Sequence, residues 1–262
     1  MPRSTRIMSA PLLEVRDLRV RFGGVTALDG VSLDVRAGSI AGLIGPNGAG
    51  KSTFFNCLTG FCAPDAGSVA LDGRDLLSLP VHRIAQLGVI RTFQNLQLFA
   101  SLTVRENLLV GAHHRLRASV LAGLVATRGQ RSEDLKAEAW AVVVAQRVSI
   151  HDHLDSVVAG LPYGTRKLVE LGRALMAAPR VLMLDEPAAG LTAVERGALV
   201  HLLRNLRDEG VTVVLVDHEM DLVRAACDIV HVLDFGRLVA GGDPEAMMRE
   251  PAVREAYLGD AR

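Results

Sequence analysis

Three things are scarce in this sequence: aromatic residues, net charge and long apolar runs. Aromatics make up 4% of its 262 residues, so the 49% that is hydrophobic is almost all aliphatic. Lys and Arg (29) balance Asp and Glu (29), which excludes a broadly basic nucleic-acid binder and an acidic disordered chain. No stretch approaches the roughly 18 apolar residues of a membrane-spanning helix; Ala118 to Ala126, the longest candidate, is too short. Cysteines number three (Cys57, Cys62 and Cys227), without CxxC spacing, and read as reduced, mostly buried thiols of a cytosolic protein. Arg3 and Arg6 lead to Ile7 and Met8 and then to Glu14 and Arg16, with no apolar core for a secretory signal. What is present is an apolar, neutral chain with ample material for a core.

Periodicity gives the organisation. Leu13, Val15, Leu18, Val20 and Phe22 nearly alternate, and Val31, Leu33 and Val35 alternate strictly, as strands do. Ser39 to Ile44 is a compact apolar run ending in glycine. A helical period begins at Thr53, and Ser68 to Leu71 reads as strand before the turn Asp72-Gly73. From about 95 to 178 the pattern is almost all helical, over Val104–Gly111, Ala118–Ala126, Ser132–Arg147 and Lys167–Ala177. Strand signals return at Val181–Leu184 and Val211–Val216, around a helical stretch at 192–209. This alternation predicts a parallel βαβ core interrupted by a helical insertion. Ile229–Leu233 and Leu238–Ala240 read as a closing strand pair, followed by helices near Pro244–Arg249 and Pro251–Leu258.

Gly45-Pro46-Asn47-Gly48-Ala49-Gly50-Lys51-Ser52 fits GxxxxGK[ST], after an apolar strand and before a helix. Glycines let backbone N–H groups close around a phosphate, and the following helix presents its positive end to the same anion. Lys51 supplies a mobile cation for the β- and γ-phosphates. Ser52 supplies a hydroxyl for Mg²⁺, and Thr53 a contact to the α-phosphate. Val181–Leu184 runs straight into Asp185-Glu186. An acid at the end of an apolar strand lies beside the phosphate loop, where Asp185 serves Mg²⁺ through water. A second acid, Glu186, polarises an attacking water, which favours hydrolysis over transfer. His151 and His153 form an HxH with no evident partner ligands and read as a solvated loop.

The order of phosphate loop, Gln94, the Gly164 helix, Asp185-Glu186 and His218 resembles an ABC-transporter ATPase subunit, from about residue 12 to 260. Within that family a narrower resemblance is to the branched-chain amino-acid uptake ATPases. It rests on Arg91-Thr92-Phe93-Gln94-Asn95, Glu186-Pro187-Ala188-Ala189-Gly190-Leu191, Asp217-His218-Glu219-Met220-Asp221-Leu222-Val223 and Ala256-Tyr257-Leu258-Gly259. The resemblance implies an α/β P-loop NTPase core with a mostly parallel sheet, an antiparallel β subdomain and a helical insertion. The implied divisions are 12–94, 95–178, 179–241 and a C-terminal extension at 242–262. It implies ATP and Mg²⁺ as cofactors. Gln94 would touch Mg²⁺ and the attacking water, His218 would sense the γ-phosphate, and Phe22 would stack on adenine without strongly selecting ATP over GTP.

The resemblance also implies that a signature sequence, usually LSGGQ, binds the nucleotide of an opposite subunit. Here it reads Leu161-Pro162-Tyr163-Gly164-Thr165. Gly164 keeps the close backbone approach and the helix start remains, but Tyr163 replaces a glycine, Thr165 replaces glutamine, and Pro162 removes a hydroxyl donor worth about 1.5–3 kcal/mol on a charged phosphate. That loss suggests a heterodimer with a sister ATPase carrying an intact signature. Thr192 stands where many relatives carry Asp, which puts one intersubunit contact in question. The implied partners are this second ATPase, membrane permease subunits and, indirectly, a substrate-binding protein, with no nucleic acid. The implied location is the cytoplasmic face of the membrane. Leu96, Leu98, Phe99 and Leu102 are candidates for a socket that receives a permease helix. Arg105, Arg115, Arg117, Arg128 and Arg131 stand against Glu106 alone, a basic stretch for lipid headgroups or solvent. Competing classes are the same machinery for urea or lipopolysaccharide, a small-molecule phosphotransferase, and a DNA-repair ABC ATPase. The last needs sustained heptads between Lys51 and Asp185, which are not found.

Overall fold

The computed structural model describes residues 10–92, 96–113, 128–247 and 249–250. In chain order the elements are β1 (Leu13–Phe22), β2 (Val25–Val35), β3 (Ile40–Ile44), α1 (Lys51–Leu58), β4 (Ala66–Leu71), β5 (Arg74–Asp75), α2 (Val81–Gln86) and β6 (Val89–Arg91). Then come α3 (Val104–Gly111), α4 (Arg128–Arg147), α5 (Tyr163–Met176), β7 (Val181–Asp185), α6 (Ala193–Asp208) and β8 (Thr212–Val216). The last are α7 (Met220–Ala226), β9 (Ile229–Asp234), β10 (Arg237–Gly242) and α8 (Pro244–Met247).

A six-stranded sheet runs β10-β9-β3-β8-β7-β6. Its strands pair in parallel from β9 to β6, and β10 closes one edge antiparallel. All five residues of β3, β7 and β8 are buried, because both faces of the sheet are covered. Period-2 alternation shares them between two cores. Ile40, Ile44, Leu182, Leu184, Val213 and Leu215 join the core under α3 to α7. Ala41, Leu43, Val181, Met183, Val214 and Val216 join the core with α1 and the second sheet. A continuous apolar strand is thus two alternating strands superposed.

The second sheet, β2-β1-β4-β5, is antiparallel. The imperfect alternation along β1 has a local cause. The register with β2 shifts between Val15 and Leu18, and Asp17 takes φ 47° with its N–H on Ser32 Oγ at 2.8 Å. One bulged position moves Leu18 and Val20 back onto the buried face. Asp72-Gly73, both at positive φ, make the tight hairpin between β4 and β5.

The helices at Val104–Gly111 and 192–209 form as the sequence suggests. A Thr103–Glu106 capping box starts α3 and a Thr192–Glu195 box starts α6. Three differences stand out. The short elements β5, α2 and β6 carry too few residues to show a period. His151–His153 is a 3₁₀ turn, not an irregular loop. Arg105 is paired with Asp155 at 2.9 Å and Glu138 at 3.3 Å, so it is not a free charge of a basic patch. The expected helices at Ala118–Ala126 and Pro251–Leu258 lie outside the described residues, as do Arg115, Arg117 and the side chains of Arg128 and Arg131. Cys57 and Cys227 are buried, Cys62 is half-buried, and all three are free thiols.

Candidate nucleotide site

Parallel pairing brings four strand ends to one edge. The end of β3 delivers residues 45–50, β8 delivers Asp217 and His218, β7 delivers Asp185 and Glu186, and β6 delivers Arg91. The carboxyl edge of such a sheet is where ligands bind.

Gly50 caps α1 at φ 104°, and a Cβ there would lie 2.4 Å from the Ala27 carbonyl oxygen of β2. Only glycine fits that close approach, which also fastens the β1–β2 hairpin to the loop. The helix begins with no side-chain cap and no acid in its first turn. The N–H groups of Lys51, Ser52 and Thr53 therefore form a positive end with no side-chain cap of its own. Lys51 Nζ donates to the carbonyls of Gly45 (2.7 Å) and Pro46 (2.8 Å). Burial pulls its pKa below the usual lysine range, against the opposing fields of Glu186 and Asp185. Asn47 and Gly48 form the exposed tip of the loop, while Ala49 is buried beneath it.

Asp185 is buried and already faces a cation. Its Oδ2 accepts from Arg91 Nη2 at 2.7 Å, and both side chains are 8% exposed. Arg91 Nη1 donates to Asn56 Oδ1 at 2.6 Å, and the guanidinium lies 5.3 Å from the centroid of Phe55. The arginine thus ties the acid of β7 to the helix that follows the phosphate loop. The Ser52 hydroxyl and the Asp185 carboxylate are hard oxygen donors of the kind Mg²⁺ takes.

Glu186 sits at φ 48°, a left-handed conformation that costs a non-glycine residue about 1–2 kcal/mol. Both its backbone groups are held: the N–H donates to Val216 O at 2.8 Å, and the carbonyl accepts from Lys167 Nζ at 2.8 Å. Its carboxylate is 23% exposed, with Oε1 3.9 Å from Nδ1 of the more open His218. The two are neighbours at ion-pair range, beyond hydrogen-bond length. Asp217 fixes their relative placement. Its Oδ1 accepts from Glu219 N at 2.9 Å and its Oδ2 from Ala188 N at 3.1 Å. Burial raises its pKa, and these bonds pull the other way.

Phe22 is 56% exposed at the end of β1 and so is not part of the core. In the signature segment Pro162 takes the N-cap position of α5 with no side-chain cap, and Gly164 and Thr165 follow in the first turn. A Cβ on Gly164 would meet Glu195 Oε1 at 2.0 Å. This glycine therefore has a reason within its own chain. Thr192 likewise has an internal role: its hydroxyl caps α6, as an Asp would. Gln94 lies outside the described residues.

A profile described as "ABC transporter" matches residues 28–189, which is more than half of the chain and spans the phosphate loop and both acids. The chain belongs to the ABC transporter ATPase family. It is 45% identical over 255 residues to the high-affinity branched-chain amino acid transport ATP-binding protein BraF of Pseudomonas aeruginosa, covering 97% of this chain and 100% of that one. It is 42% identical, with the same coverage, to the corresponding protein LivG of Escherichia coli K12. Among solved structures, the ADP conformation of MJ1267, an ATP-binding cassette of an ABC transporter, superposes with TM-score 0.84 at 31% identity, over 96% of this chain and all of that one. A nucleotide-free cassette from an ABC transporter gives 0.82 at 31% identity, over 94% and 98%.

In this ABC ATPase the roles of Arg91, Asn56, Lys167 and Asp217 are visible only in the fold. In the sequence Arg91 is just part of the block before Gln94. The one signal for it is an arginine closing the apolar pair Val89-Ile90, and β6 is too short to be read as a strand. Lys167 acts through a tertiary contact that no local pattern contains, and Asp217 joins a local bond to Glu219 N to a tertiary one to Ala188 N.

Proposed function

We propose that this chain is the ATP-hydrolysing subunit of an importer for branched-chain or other hydrophobic amino acids. The convergence of Lys51, Asp185 and Glu186 on one sheet edge carries the ATPase reading. The cargo reading is supported by the names of relatives that match this chain from end to end.

Bound Mg·ATP supplies the electrophilic phosphorus and the charge that Mg²⁺ neutralises. Lys51, the loop amides from Gly45 to Gly50 and the first turn of α1 take the phosphates. Ser52, Asp185 and Gln94 serve the metal, and Phe22 stacks on the base. Glu186 orients the water and accepts its proton, while His218 faces the γ-phosphate. Gly164 and Thr165 at the start of α5 serve the nucleotide of an opposite ATPase subunit. With Pro162 in place of a hydroxyl, that subunit is a sister chain with an intact signature. No described helix is long and apolar enough to cross a membrane, so passage belongs to permease partners. A cleft of about 210 Å³ between β6, α3 and α5 offers one a seat. Beside it, Leu98 packs into the core and Phe99 is 51% exposed.

Uptake of labelled leucine in a strain deleted for this chain tests the cargo. Loss of leucine uptake, restored by the wild-type chain but not by Glu186→Gln, is expected. Normal leucine uptake in the deletion strain, with loss of urea or another solute instead, would reassign it. The partner reading is checked by subunit composition. One copy of this chain and one sister ATPase per transporter is expected, and two copies of this chain would refute the heterodimer.

A further inference from the structure

Lys167, on the second turn of α5, reaches out of the helical insertion toward the catalytic edge. Its ammonium donates to the Glu186 carbonyl at 2.8 Å, with the Pro187 carbonyl 3.4 Å away. The Glu186 N–H, at the other end of the same residue, is bonded to Val216 of β8. The backbone of Glu186 is therefore held between the core sheet on one side and α5 on the other, in a left-handed conformation of the kind that persists only where its surroundings fix it.

Lys167 is itself held. Tyr163, one turn earlier, places its ring centroid 5.7 Å from Lys167 Nζ and 5.9 Å from the Arg166 guanidinium. The same ring lies over Gly190, where a Cβ would meet its Cε1 at 2.8 Å. So Tyr163 packs back on its own chain, against the segment that follows Glu186. Gly164, next to it, abuts Glu195 of α6.

We propose that Lys167 is a positioning residue for Glu186: through the Glu186 carbonyl it makes the carboxylate's placement depend on the position of the signature helix. Under the proposed function the start of α5 meets the opposite subunit, so closure there aligns the water-orienting acid of this same chain. Tyr163 is the spacer that keeps Lys167 extended between α5 and β7. The inference rests on the role assigned to Glu186 under the proposed function.

The test compares wild type, Glu186→Gln, Lys167→Met and Lys167→Arg in the purified transporter complex, reading steady-state ATP hydrolysis and equilibrium ATP binding. Lys167→Met is expected to lower kcat about tenfold or more while KM and ATP affinity stay within about twofold. Lys167→Arg, which still donates to a carbonyl, is expected to recover most of kcat. A merely structural lysine would show no such split and no rescue. Should the Met variant not fold, Lys167→Leu, which also lacks a donor, is read on the same scale. Full turnover in Lys167→Met alongside a dead Glu186→Gln overturns this inference alone. So does a loss shared equally by kcat and ATP binding. Full turnover in Glu186→Gln overturns the Glu186 assignment, and this inference with it.

Discussion

Removing the cation beside Asp185 should destabilise the protein strongly, and Mg·ATP should offset much of the loss. Arg91→Met keeps an unbranched stem of similar length over Phe55 and deletes the guanidinium. Both side chains of the pair are 8% exposed, so solvent screens little of the interaction. Breaking a buried pair by removing one partner costs about 3–5 kcal/mol, because the remaining charge is stranded. Loss of the bond to Asn56 adds about 1 kcal/mol. For a chain of this size, about 2–4 °C per kcal/mol converts the pair alone to a fall of roughly 6–20 °C in Tm. Thermal unfolding followed by circular dichroism in EDTA measures it. With Mg·ATP the deficit should shrink, since a divalent cation then faces Asp185. The double variant Arg91→Met/Asp185→Asn should recover more than half of the single-variant loss, because the stranded charge is gone. A loss below about 1 kcal/mol in EDTA, or a double variant no more stable than Arg91→Met, would refute the reasoning.

The His231 imidazole is buried beside Gly241. Burial holds its pKa below the ordinary 6.5, against a weaker opposite pull from Asp34. A base with a depressed folded pKa contributes stability above its unfolded value and loses it as pH falls through the folded one. Denaturant midpoints should therefore decline as pH drops below about 6.5, and His231→Leu should flatten that decline; parallel curves would count against it. Thiol labelling at pH 8 should be ordered. Cys57 and Cys227, pushed up to about 12 by burial, should resist iodoacetamide in the folded protein, whereas half-buried Cys62 should react first. Mass spectrometry of partly labelled protein reads the order, and early modification of Cys227 would contradict the packing. Gly164→Ala should push Glu195 off its capping bonds with Thr192 and lower Tm by a few degrees, and an unchanged Tm would count against that packing.

Much of the fold was legible because its longest signals are local. β3, β7 and β8 read as unbroken apolar runs because each feeds two cores, and the phosphate loop has fixed residues at fixed spacing. Asp185 and Glu186 were found because a buried strand must end where its charge can be used. What escaped was short or tertiary. The segment from Arg74 to Arg91 forms two small strands and a six-residue helix, none long enough to show a period. Arg91 meets Asp185 across 94 positions of sequence, and only the pairing of β6 with β7 brings them together. The signature was legible as a departure but not in its consequence. The Tyr163 ring is accommodated over Gly190, and Lys167 beside it reaches Glu186.

Phosphate release and ATP binding by wild type and Glu186→Gln, with and without Mg²⁺, decide whether the edge formed by Lys51, Asp185 and Glu186 hydrolyses ATP. Mg²⁺-dependent phosphate release with no phosphorylated co-product, lost in Glu186→Gln while ATP still binds, is the predicted result. Equal phosphate release by the two proteins, or transfer of the phosphate to a second small molecule, would contradict it.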